Sequence, residues 1–294
     1  MSEARVIRLH YLLRAALLLA FALYIAHLAQ QDTLHYYIAP KLARWVRLCP
    51  VPLALMALAL AVQAFYGKGS ALCDCEHRLP RSFVKSTALY SLFLFPLLLG
   101  FLLPDQALGS LAADKKGIIL SNLGDGHPEA SAFDTSDPYQ QEFAELARQL
   151  YAQPVIPVYP AIFSETFGAI DRYKQQFEGK DIAVTGFLYR DGTHTDPASF
   201  AVSRFLVQCC TADATPFGML VEADTTISLP NDTWVEVRGK LQIADYQGQE
   251  VIRIKAVSVT PVSAPSTPYI YTSPDSIAAW HQLLAAQEAA KMAK

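Results

Sequence analysis

The chain has 294 residues and a formal net charge of −3, from 24 Lys and Arg against 27 Asp and Glu. That balance excludes a nucleic-acid binder that works by bulk positive charge. With 52% apolar and only 17% charged residues, it also excludes a charge-driven disordered chain. Five cysteines are an odd number, too few for a disulfide scaffold.

The apolar surplus sits in the first third. Tyr11–Ala29 and Leu48–Tyr66 are apolar runs of 19 residues each, and Thr87–Leu103 is a third that contains Pro96. About 20 apolar residues in a helix cross a hydrocarbon core, so each run is long enough to span a membrane and to take lipid as its solvent. Pro96 predicts a kink, tolerated where neighbouring helices satisfy the freed carbonyl. Between the first two runs, Leu34–Leu48 carries His35, Lys41, Arg44 and Arg47 beside Tyr36, Tyr37 and Trp45. This mixture reads as an interfacial segment with an aromatic belt. The first run is too long for a signal-peptide core and has no small-x-small site after it, so it reads as a retained signal anchor.

Basic residues near the helix ends set orientation. Arg5, Arg8, Arg14, Lys68, Arg78, Arg81 and Lys85 fall on one side, and Lys41, Arg44 and Arg47 on the other. Seven against three places the N-terminus in the cytoplasm and everything after Pro104 outside the cell membrane.

Past Pro104 the composition is that of a soluble protein. Residues 105–160 read as a linker with a short helix over Asp137–Gln153, followed by an extended stretch at Pro154, Pro157 and Pro160. Ser164 begins a second helix that ends at Glu178-Gly179. Five strands are expected at Asp181–Tyr189, Phe200–Cys209, Phe217–Glu222, Thr233–Ile243 and Glu250–Val259. Gly186 and Gly239 inside strands suggest the bends of a small barrel. The expected architecture is therefore an N-terminal membrane domain of three transmembrane α-helices (1–104) and a mainly β, OB-like barrel (161–272) with flanking helices. Ser273-Pro274-Asp275 would cap the last of these (273–294).

Two cysteine clusters could carry chemistry. Cys73-Asp74-Cys75-Glu76-His77 places two thiols and an imidazole within five residues, donors that zinc and softer cations favour. Cys73, Cys75 and His77 are the metal candidates there; a solvated cytoplasmic loop is the plain alternative. The second cluster is Cys209-Cys210, with Asp213 three residues on. Neighbouring strand residues point to opposite faces, so a regular strand cannot aim both sulfurs at one ion. Phe205 and Val207 share a face with Cys209, which predicts Cys209 inward and Cys210 outward. Buried structural cysteines, a metal or ligand site with Asp213, and a redox pair are all open at this point. His127 and His194 read as linker and loop residues. Phosphate-loop, nucleophile-elbow and zinc-protease motifs are absent, so no catalytic residue is assigned. An OB-like barrel also binds oligonucleotides in other settings, but residues 181–260 show no dense basic-aromatic face, and no nucleic-acid partner is expected.

Three blocks carry a family resemblance: YIAP at 37–40, FEGKDIAVTGFLYR at 177–190, and the stretch from RFLVQCCTADA through TWVEVRGKL to PSTPYIY ending at 271. The chain resembles the YcgQ family of uncharacterised membrane proteins, labelled permease subunits. The resemblance implies a YcgR-type multi-helix permease as partner and, by gene context, zinc as the cofactor or cargo. Many members carry a His-rich loop before the soluble domain; here that loop is CDCEHRLP, with only His77. The function expected is a membrane-anchored accessory subunit of a permease that handles metal ions or metal-bound cargo. The alternatives are a stand-alone envelope protein whose barrel binds a ligand or protein, and a membrane thiol oxidoreductase using Cys209 and Cys210.

Overall fold

The computed structural model describes residues 3–66, 83–120, 133, 141–190, 198–246 and 249–292. The chain divides into two compact units, Met1–Gln106 and Ala107–Lys294.

The first unit is helical. Helix α1 (Glu3–Gln30) leads through a 3₁₀ turn at Thr33–Tyr36 into α2 (Pro40–Val46), α3 (Pro50–Tyr66) and α4 (Phe83–Leu102). Among the described residues, three stretches are long and apolar enough to span a membrane: Arg5–Gln30, Pro40–Tyr66 and Val84–Leu102. The second begins earlier than Leu48, because α2 follows Pro40 at its first position and α3 starts four residues after α2 ends. The segment expected to be interfacial thus contributes helix to the second span. Pro96 lies inside a helix that continues to Leu102.

Helix α1 packs against both α3 and α4. Its buried face carries Ala15 and Ala22, and α3 buries Ala57 and Ala64. Each pair is seven residues apart, two turns along one face. Small residues let helix backbones approach where lipid supplies no hydrophobic drive for association. The polar link between α1 and α4 is His10, which is buried with Nδ1 2.8 Å from the Tyr90 hydroxyl. Leucine and phenylalanine cover the outside of α3 and α4, the reverse of a soluble domain.

The second unit opens with α5 (Ser110–Lys116), β1 (Ile119–Leu120), α6 (Gln141–Tyr151) and β2 (Val155–Pro157). A 3₁₀ turn at Pro160–Ile162 leads into α7 (Phe163–Arg172) and α8 (Lys174–Phe177), and Gly179, two residues past the end of α8, has φ +79°. The five main strands are β3 (Asp181–Tyr189), β4 (Ser199–Leu206), β5 (Thr215–Glu222), β6 (Trp234–Tyr246) and β7 (Gln249–Pro261), followed by α9 (Ser276–Met292). The order β5-β4-β3-β6-β7 closes through a parallel β5–β7 pairing, giving a five-stranded barrel. Two short strands, β1 on β5 and β2 on β3, extend it in parallel.

The strand glycines act as expected. The β6–β7 register shifts between Arg238 and Gly239, and a Cβ at Gly239 would collide with the Lys255 carbonyl. A Cβ at Gly186 would lie 2.5 Å from the Ser203 carbonyl oxygen. Both mark places where strands bend inward too closely for a side chain.

Ile182, Val184, Leu188, Val235, Val237, Leu241 and Ile254 fill the barrel and share one core with Phe163 and Phe167 of α7 and Trp280 of α9. Trp280 is fully buried, its ring 5.9 Å from that of Tyr159. Two carboxylates seat the start of α9. Glu142 accepts hydrogen bonds from the backbone and hydroxyl of Ser276, and Glu165 accepts one from the Ser273 N–H at 2.8 Å. Asp275 caps the helix by accepting from the Ala278 N–H at 2.8 Å.

Candidate functional site

Strand β4 ends at Leu206, three residues short of the expected boundary. The chain leaves the barrel there because Ile270 takes over the pairing: Ile270 N–H donates to Phe205 O, and Val207 N–H donates to Ile270 O. Gln208, Cys209 and Cys210 consequently lie in a turn. The expectation that alternation sends Cys209 inward is overturned: Cys209 is exposed and Cys210 half-buried. Alternation holds only while a strand lasts, and Val207 is the last buried residue before the turn.

Asp213 builds the turn. Its Oδ1 accepts the Gln208 N–H at 3.0 Å, and its Oδ2 accepts those of Cys209 and Cys210 at 2.8 and 3.2 Å. The Asp213 N–H donates back to Cys210 O at 3.1 Å. From the other side, Lys116 at the end of α5 donates to Ala212 O at 3.0 Å and Ala214 O at 2.5 Å, with Thr211 O at 3.5 Å. Backbone donors therefore meet a carboxylate and backbone acceptors meet an ammonium, and together they freeze the loop.

The result brings both sulfurs to one side, Sγ to Sγ 3.7 Å apart. Cys209, Cys210 and Asp213 each offer a ligand atom, all within 4.8 Å of one another. The Cys209 hydrogen bond and the three backbone donors hold the Asp213 carboxyl down at about 2. The same contact, followed by that to Cys210, pushes the Cys209 thiol up to about 11. At neutral pH Asp213 is a carboxylate and Cys209 keeps its proton, the opposite of an activated nucleophile.

The other cluster, Cys73, Cys75 and His77, lies outside the described residues, as do His127 and His194. Sequence reasoning missed Lys116, whose role depends on a contact almost a hundred residues away. It also missed Arg204, which by strand alternation shares the face of Cys210. Arg204 is 1% exposed, its guanidinium lies 5.0 Å from the Trp234 ring, and its Nε has no hydrogen-bond partner. Burial alone pulls it down to about 10. Both faces of β4 are covered, with Phe205 stacked on Phe187 at 5.6 Å, so an arginine on either face is enclosed.

Apolar helices followed by a closed five-stranded barrel define a class of membrane-attached barrel protein. The chain matches the DUF1980 N-terminal domain over residues 13–119 and the DUF1980 C-terminal domain over residues 133–272. It is similar to the UPF0703 protein YcgQ of Bacillus subtilis (strain 168), 26% identical over 284 residues that cover 88% of this chain and 98% of the relative. With both domains matched in order along nearly the whole length, the chain belongs to this YcgQ-type, DUF1980 family.

Proposed function

We propose that the protein is a membrane-anchored accessory subunit of a permease, and that the Cys209–Cys210 turn handles a metal ion or metal-bound cargo for it. The observation that carries this reading is the frozen, exposed dithiol: two sulfurs 3.7 Å apart, held on the barrel surface by Asp213 and Lys116. A turn anchored on both its donor and acceptor groups costs little entropy when it captures an ion. The family resemblance supports a YcgR-type permease as the partner and zinc as the metal. The basic-residue asymmetry supports an orientation with the N-terminus in the cytoplasm and the barrel outside.

The test is a pull-down of the tagged full chain in mild detergent, with elemental analysis of what is recovered. A large permease together with stoichiometric metal, lost when Cys209 and Cys210 are both changed to Ser, is the expected result. A chain that purifies alone would defeat the accessory role, and metal that persists in the double variant would move the metal away from this turn.

A further inference from the structure

We infer that the Cys209–Cys210 turn is half of a tetrahedral metal site: it supplies two thiolates along one edge and leaves two positions for the molecule that delivers or receives the ion. The inference rests on the metal-handling reading above and names the form that handling takes.

The sulfur separation carries it. Two zinc–sulfur bonds of about 2.3 Å at a tetrahedral angle set their sulfurs about 3.8 Å apart. The turn holds them at 3.7 Å. A linear two-coordinate ion would need roughly 4.6 Å at the same bond length, and a disulfide needs about 2.05 Å. The spacing thus suits a divalent tetrahedral cation of the zinc class and requires no rearrangement of the loop.

The donor count makes it a half-site. Asp213 is within reach, but both its oxygens are already engaged by the N–H groups of Gln208, Cys209 and Cys210. Three accepted N–H bonds take up most of the acceptor positions of the carboxylate, so its role is to frame the turn. Lys116, the other charged group on the turn, is a cation bound to carbonyls and cannot ligate. No other Cys, His, Asp or Glu joins this cluster among the described residues. Structural zinc sites are closed by four protein ligands, whereas sites that exchange ligands keep positions open. Here the open side faces solvent, since Cys209 is exposed. When the ion enters, the two S–H protons leave to water and two of its previous ligands are displaced by sulfur. The remaining two ligands stay with the carrier until transfer is complete.

The full chain, purified reduced in detergent, is titrated with Co²⁺ as a visible stand-in for Zn²⁺. One Co²⁺ per chain is expected, with a sulfur-to-metal charge-transfer band that falls by half in Cys209→Ser and in Cys210→Ser and vanishes in the double variant. Cys209 is exposed and Cys210 half-buried in a turn outside the barrel core, so these variants should melt close to the parent, which separates ligand loss from unfolding. Added imidazole should shift the spectrum by filling the open positions. Asp213→Asn should weaken binding while leaving the spectral shape of the bound ion unchanged. A band indicating four thiolates, one ion per two chains, indifference to imidazole, or a changed spectrum in Asp213→Asn would each overturn the half-site. Binding that survives the double variant would overturn it too, yet leave metal handling intact at another site. No binding of Co²⁺ or Zn²⁺ at all would defeat both.

Discussion

Leu92 and Val237 are both aliphatic, and the chain treats them oppositely. Leu92, on α4, is 70% exposed; Val237, on β6, is wholly buried. The membrane unit turns its large apolar side chains outward and keeps alanines for its helix contacts. The barrel turns its large side chains inward and closes its hydrogen bonds around them. One physical rule gives both results, because each side chain goes where its surroundings are apolar, and only the identity of the solvent differs. A consequence is that side-chain volume should matter to packing in one unit and much less in the other.

The largest expected effect tests the barrel side of that contrast. Trp280→Ala removes a fully buried indole and should destabilise the second unit by about 3–5 kcal/mol, read by denaturant unfolding with near-ultraviolet circular dichroism. Leu92→Ala should leave that transition and the helix content in detergent unchanged; a comparable loss there would mean that α4 packs against something other than lipid. Next comes Gly239→Ala. The added methyl meets the backbone carbonyl of Lys255, which cannot rotate away, so a loss of about 1–3 kcal/mol is expected in the same assay.

Arg204→Met should act in the opposite direction. Removing a buried guanidinium whose Nε is unpaired, and keeping most of its volume, should raise stability by roughly 1 kcal/mol or more. A fall in stability would show that the stack on Trp234 outweighs desolvation. The smallest effect concerns Glu165, where burial raises the carboxyl above its ordinary value in spite of hydrogen bonds from Ser273 and Ser164 and with Glu142 adding repulsion. A raised acid contributes stability that is complete below its unfolded pKa of 4.5 and is lost as pH rises through the higher folded value. Glu165→Gln keeps an acceptor for Ser273 and removes that loss. Thermal melts should find it slightly more stable than the parent at pH 7 and equal to it near pH 4.

Most of the barrel is legible in the sequence, because alternation and bend glycines are local signals. All five main strands lie within a few residues of their expected limits. The short parallel strands β1 and β2 were not readable: two or three residues carry no period, and their partners lie far along the chain. The candidate site was half legible. Its residues stood out by type, but their directions did not, since the end of β4 is decided by Ile270, more than sixty residues later. Arg204 shows the same limit. Its polarity pointed outward, and what encloses it comes from strands that the local pattern cannot foresee.

The closing pair of the barrel also bears on how the protein is made. Strand β7 pairs with both β5 and β6, and no earlier strand can seal that gap. Synthesis runs from the N-terminus, so the three long apolar helices are complete long before Gln249 leaves the ribosome. Until then β5 and β6 each present an open edge, an invitation to pair with another chain. A nascent chain tethered to a membrane diffuses in two dimensions and holds its unfinished barrel near others of its kind. Truncation before Gln249 should therefore yield membrane-bound aggregate in place of a smaller folded domain, and the last forty-odd residues act as the bolt that makes the rest safe to assemble.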